Sequence, residues 1–130
     1  MHEIDVVIID DNAGILWLIK EILSVKSISH KVTQIGSEGI ELIDKYKPSV
    51  AVVDLKLGAM TGLDVAKEIH KKSKKTKILF ITGYSNAISK EVTKELPVAG
   101  VLEKPFDIEK LISTIVELVK EKHGDGSFAS

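Results

Sequence analysis

Val50, Ala51, Val52 and Val53 form an unbroken apolar run, mostly β-branched, and Asp54 ends it. A run this short and this uniformly apolar offers no face to water, so it predicts a strand covered on both sides, the condition of strands in a parallel sheet. Residues 4–9 (IDVVII) repeat the pattern, broken only by Asp5, and end in Asp10 and Asp11. Residues 77–81 end in Thr82 and Gly83, and residues 98–102 in Glu103 and Lys104. Residues 30–35 alternate, as a less buried strand does. Helical periodicity fills the intervals. The first helix runs from Asn12, its cap, to about Lys26, with Ile15, Ile19, Ile22 and Leu23 toward the sheet. Others cover residues 37–46, 62–72 and 86–95, and a last one, capped by Asp107, runs to about Lys122. Strand and helix in alternation predict an α/β fold with a parallel sheet and right-handed crossovers.

The consequence is geometric. In an open α/β sheet ligands sit at the carboxyl edge, and that edge collects Asp10, Asp11, Asp54, Thr82 and Lys104 from four different strands. Three crowded carboxylates repel one another and call for a cation; an all-oxygen set without histidine or cysteine points to Mg²⁺ or Mn²⁺. Thr82 and Lys104 add a hydroxyl and a point positive charge suited to phosphoryl oxygens. The set fits phosphoryl transfer with Asp54 as nucleophile, forming an acyl phosphate.

Composition narrows the alternatives. With 130 residues, 44% hydrophobic and 28% charged, there is room for one domain with a real core. Residues 1–122 are expected to form it, with 123–130 as a tail or linker start. No apolar run approaches a membrane span, the start lacks a signal-peptide pattern and there is no cysteine, so the expectation is a cytoplasmic protein without membrane association. The net charge is −1 and every basic residue is lysine; without arginine, direct nucleic-acid binding by this domain is not expected. The basic run over residues 71–77 leads into a strand and so belongs at the amino edge, in solvent. The apolar stretch of residues 15–19 exceeds what one side of a helix on a sheet can bury, so some of it must face outward or sideways. The four scattered histidines lack metal-ligand spacing and are read as structural or solvent-facing.

These residues also carry a resemblance. Asp10-Asp11, VVD at Asp54, MTG at residues 60–62, ITGYS around Thr82 and KPF at Lys104 resemble the receiver domain of bacterial and archaeal response regulators, over residues 4–121. The resemblance implies a CheY-like, flavodoxin-like, doubly wound (βα)5 three-layer sandwich with parallel sheet order 2-1-3-4-5. It also implies two-component signalling: a histidine kinase or histidine phosphotransferase as donor to Asp54, with Asp11 and Asp54 on Mg²⁺ directly, Asp10 through water and Lys56 through its carbonyl. Thr82 and Lys104 would receive the phosphoryl oxygens. Such a domain is a phosphoacceptor that assists its own phosphorylation and dephosphorylation rather than an enzyme acting on others.

Three departures from the family pattern bear on output. Val101 stands where an aromatic or histidine is usual, which removes the familiar ring coupled to Thr82. Gly58 replaces a common proline and is expected to loosen the loop after Asp54. Lys56 and Tyr84 flank the path of hydrolytic water and are candidates for shielding the acyl phosphate. Together with Gly14, Ile15 and Leu18, that pair is similar to single-domain sporulation-phosphorelay members, whose first helix docks a four-helix phosphotransferase. The expected role is a stand-alone relay shuttle or adaptor with an unknown output protein, its output face at residues 86–95. The alternatives are the amino-terminal receiver of a longer regulator and, more distantly, a phosphorylation-independent interaction domain. A haloacid-dehalogenase-type phosphatase needs a second aspartate where Lys56 stands, and a flavodoxin needs a hydroxyl-rich phosphate loop where Asp10-Asp11-Asn12 stands.

Overall fold

The computed structural model describes residues 3–83, 94–104 and 107–123. In chain order the elements are β1 (Val6–Ile9), α1 (Ala13–Val25), β2 (His30–Thr33), α2 (Gly36–Tyr46), β3 (Val50–Asp54), β4 (Lys56–Leu57), β5 (Met60–Thr61), α3 (Gly62–Lys72), β6 (Lys77–Thr82), β7 (Val98–Glu103) and α4 (Ile108–His123). The helix expected over residues 86–95 falls mostly outside the described residues.

The five-stranded sheet is parallel throughout, in the order β2-β1-β3-β6-β7. Counting only its strands, this is the expected 2-1-3-4-5. Because side chains alternate across a strand, each central strand feeds two cores. Val6, Ile8, Val50, Val52, Leu79 and Ile81 pack with α1 and α4. Val7, Ile9, Ala51, Val53, Ile78 and Phe80 pack with α2 and α3. That two-sided burial is why β1 and β3 read as continuous apolar runs.

Local chemistry sets the helix ends. Asn12 caps α1, its side chain accepting from the Ile15 amide at 3.0 Å, a contact worth about 1 kcal/mol. The α2 helix ends at Lys47, which is left-handed with φ 46°; its amide donates to the Ile43 carbonyl and its ammonium reaches Asp44 and the Lys72 carbonyl at the end of α3. Gly39 lets α2 lie close on the sheet, since a Cβ there would come within 2.3 Å of Ile9.

Several boundaries differ from expectation. In α1, Leu16, Ile19 and Leu23 are buried, while Ile15 and Ile22 are only partly so; a run apolar on every side carries no phase for the inward stripe. Trp17 and Leu18 face solvent at 64% and 41% exposure, the outward apolar surface that the run required. β2 stops at Thr33, and Ile35 is the exposed residue preceding α2. The basic run lies at the amino edge as expected and is structural. Ser73 and Thr76 are buried there, Thr76 Oγ1 donates to the Pro48 carbonyl at 2.7 Å, and Lys77 pairs with Glu121 of α4.

Candidate functional site

The register of the sheet assembles the site. Ile9 lies beside Val53, so Asp10 and Asp54 leave adjacent strands side by side. On the other flank Asp54 lies beside Ile81, and Thr82 beside Glu103. Backbone bonds carry the pairing past the strand ends: the Leu55 amide donates to the Ile81 carbonyl at 2.9 Å and the Lys104 amide to the Thr82 carbonyl at 2.7 Å. Thus four strands deliver Asp10, Asp54, Thr82 and Lys104 to one edge. Asp11 joins them from the loop that starts α1, and Gln34 braces that loop by donating to the Asp11 carbonyl at 2.9 Å.

Asp10, Asp54 and Thr82 are buried, whereas Asp11 is exposed. One carboxylate oxygen from each of the three aspartates lies within 4.8 Å of the other two. Lys104 neutralises part of this charge, with Nζ 2.9 Å from Asp54 Oδ2 and 3.6 Å from Asp10 Oδ2. Asp54 Oδ1 accepts from the Lys56 amide at 3.0 Å and Asp10 Oδ1 from the Asn12 amide at 2.9 Å. Asp10 Oδ2 is buried and has no hydrogen bond among the described residues. Asp11, Asp54, Lys56, Thr82 and Lys104 line a cleft of about 610 Å³.

The electrostatics follow from that geometry. Burial pushes the Asp10 carboxyl up to about 6, with the charge of Asp54 adding to the shift and the Asn12 amide and Lys104 opposing it. Burial alone would depress the Lys104 ammonium. Its hydrogen bond to Asp54 and the charges of Asp10, Asp54 and Asp11 outweigh burial and hold it above the ordinary lysine value. Among the described residues one buried carboxylate oxygen lacks a donor, and three acidic side chains share a single near ammonium. That oxygen-only donor set fits a hard divalent cation such as Mg²⁺.

Beyond Asp54 the structure departs from the expected loosened loop. β4 and β5 form an antiparallel hairpin, Lys56 opposite Thr61 and Leu57 opposite Met60, joined by Gly58 and Ala59. Gly58 has φ 73°, the only positive φ in that turn, as a type II′ connection requires. Glycine is therefore what closes a tight turn here. Gly62 is equally constrained. Its amide donates to the Leu55 carbonyl at 2.8 Å, and a Cβ would lie 2.3 Å from the Asp54 carbonyl oxygen and 2.5 Å from Leu55 Cα. Both clashes are with backbone, so Gly62→Ala must displace either α3 or the Asp54 segment. The expected cost is about 1–3 kcal/mol in urea unfolding; unchanged stability would show that the backbone yields freely there.

The remaining expected site residues are placed as follows. Lys56 is exposed on β4. Val101 is half-buried opposite Phe80, packed into the α2–α3 core. Gly14 and Leu18 are exposed and Ile15 half-buried on the first turns of α1, next to Asp11. Tyr84 lies outside the described residues. Sequence reasoning missed Gln34 and the steric demand on Gly62. Neither has a local signature, because each depends on a contact with a residue distant in the chain or across a turn. Among the described residues no helix is long and apolar enough to cross a membrane.

The chain is similar to several known proteins. It is 26% identical over 115 residues to the acid tolerance regulatory protein ActR of Sinorhizobium medicae, covering 88% of this chain and 59% of that protein. It is 24% identical over 106 residues to sporulation initiation phosphotransferase F of Bacillus subtilis, covering 82% of this chain and 86% of that one. The chain thus spans about three-fifths of the length of ActR but most of the length of the sporulation protein. Its fold matches a CheY-like response regulator receiver domain protein from Methanospirillum hungatei with a TM-score of 0.80 and 26% identity, covering 95% of this chain and 100% of that one. The family model for the response regulator receiver domain matches residues 6–116, and with the acidic cluster, Thr82 and Lys104 at the carboxyl edge of a five-stranded parallel sheet, this chain belongs to that family of two-component signalling domains.

Proposed function

We propose that Asp54 accepts a phosphoryl group from a phosphohistidine of a histidine kinase or histidine phosphotransferase. The observation that carries this reading is the buried Asp54, held by Lys104 and the Lys56 amide beside the undonated oxygen of Asp10. In the transfer an Asp54 carboxylate oxygen forms the new bond to phosphorus as the phosphorus–nitrogen bond of the donor breaks, and the departing imidazole keeps the electron pair. Lys104 and Thr82 receive the equatorial oxygens of the group in flight. Asp10, Asp11 and Asp54, with the Lys56 carbonyl, would hold a divalent cation, which when bound neutralises negative charge on the phosphoryl oxygens. The sheet edge excludes water from Asp10 and Asp54, which strengthens every charge interaction made there.

The relay role rests on the first turns of α1. Gly14, Ile15 and Leu18 present apolar surface beside Asp11, suited to a helical partner that brings its histidine over the cleft. Likeness to sporulation phosphotransferase F along most of its length supports a cytoplasmic shuttle or adaptor. The shorter coverage of ActR favours a second reading, the receiver of a longer regulator whose output lies outside this sequence. The shielding expected of Lys56 and Tyr84 is read from the lifetime of the acyl phosphate, and with Val101 in place of a ring the output passes by another route than ring rotation.

The test is intact mass over time after mixing with Mg²⁺ and acetyl phosphate or a phosphohistidine donor, for the wild type and Asp54→Ala. A single phosphoryl adduct is expected that vanishes with chelator or with alanine at 54, and its decay reads the shielding. No adduct from either donor would leave a phosphorylation-independent interaction domain as the better description.

A further inference from the structure

On the face of the sheet opposite α2 and α3, α1 and α4 flank an open groove of about 710 Å³. Its floor is apolar: Ile22, Ile108 and Val116 pack against the core but keep part of their surface uncovered, and Ile112 lies beneath them. Beside the exposed Glu117, which also lines the groove, the rim of α4 carries a stripe. At 100° per residue Glu109, Ser113, Val116 and Lys120 fall within an arc of about 60°, and Glu109, Ser113 and Lys120 are exposed. The stripe begins with an acid at the carboxyl-edge end and finishes with a base at the amino-edge end, where Lys26, the residue that follows α1, also lines the groove.

We propose that this groove is where two copies of the chain meet, related by a two-fold axis that sets α4 antiparallel to its mate. The stripe is self-complementary in that arrangement. With the axis midway between Ser113 and Val116, Glu109 of each copy faces Lys120 of the other, and the small Ser113 faces Val116. An isologous interface demands such reciprocity, since residue i must suit residue j twice over. A parallel arrangement instead sets Glu109 against Glu109 and Lys120 against Lys120. The small side chain of Ser113 permits close approach, and Val116 with Ile22 supplies the apolar surface to be covered. The surface uses neither the acidic cluster nor the first turns of α1, so it is independent of the phosphoacceptor reading. The two ion pairs join exposed side chains, where each contributes little, which predicts a weak, concentration-dependent dimer.

Sedimentation velocity on the full chain, from about 5 to about 500 µM, tests this with Lys120→Glu, Glu109→Lys and the double swap. Wild type is expected to shift from monomer to dimer across the series. Each single swap sets like charges together at two places and should weaken association by about tenfold, and the double swap should restore it. All of these positions are on the surface, so an unchanged unfolding midpoint verifies that each variant is folded. A wild type that stays monomeric throughout, or a dimer indifferent to the single swaps, or single-swap losses that the double swap does not repair, would each overturn the proposal.

Discussion

Lys104→Met is expected to lower the stability of the metal-free protein at pH 7 by about 3 kcal/mol, and excess Mg²⁺ is expected to return most of that loss. Lys104 is the cation within 4 Å of both Asp10 and Asp54, and both carboxylates are buried. Methionine keeps much of the aliphatic stem and removes the charge, leaving two neighbouring carboxylates with backbone amides as their remaining donors among the described residues. At an effective dielectric of about 20, each charge contact near 4 Å is worth about 4 kcal/mol before the desolvation of the ammonium is subtracted. The net is smaller but far exceeds that of an exposed ion pair such as Lys71 with Glu68. A divalent cation bound to the folded state alone stabilises it by mass action, and the variant should gain more from it than wild type, having lost its internal counter-ion. Urea unfolding with chelator and with Mg²⁺ decides the matter. Equal stability of the two proteins in chelator, or an equal gain from Mg²⁺, would show that Lys104 does not hold the cluster together.

The parts legible in the sequence were those whose physics is local. A strand covered on both faces must be apolar at every position, so β1, β3 and β6 announce themselves, and α/β geometry then gathers whatever follows them at one edge. That is why Asp10, Asp11, Asp54, Thr82 and Lys104 could be grouped from residues alone, and why the sheet order followed once the family resemblance was in hand. The Asn12 cap and the start of α3 at Gly62 were legible for the same reason.

What escaped depends on contacts between distant segments. The two-residue strands of the 56–61 hairpin are too short to carry alternation, so Gly58 looked like slack when it is the turn residue the hairpin needs. The inward phase of α1 could not be read because residues 15–19 are apolar on every side; the sheet selects Leu16 over Ile15. The clash that forbids a Cβ at Gly62 exists only after Asp54 and Leu55 have turned back over α3. The brace from Gln34 to the Asp11 carbonyl links two loops that share no sequence pattern.

The proton affinity of Asp10 was equally hidden, and it yields the opposite sign of effect from Lys104. Asp10→Asn should stabilise the metal-free protein at pH 7 by on the order of 3 kcal/mol while weakening its response to Mg²⁺. Burial raises the Asp10 carboxyl from 3.8 to about 6, and each tenfold change in proton affinity is worth about 1.4 kcal/mol. Between those values the folded chain holds a proton that the unfolded chain has released. The contribution of this group to stability is therefore fully present below about 4 and lost as pH rises through about 6. Asparagine imitates the protonated form: its oxygen can keep the bond from the Asn12 amide, and its amide group replaces the oxygen that has no donor and can give a hydrogen bond to Asp54. In chelator, the advantage of the variant should be large at pH 7 and shrink toward zero by about pH 4. With Mg²⁺ the order should narrow or reverse, because the wild-type carboxylate then gains a cation that asparagine attracts far less. A series of urea unfolding curves across this range measures both. A variant no more stable than wild type at pH 7, or one whose advantage persists unchanged at pH 4, would mean that the buried oxygen of Asp10 is not the strained member of the cluster.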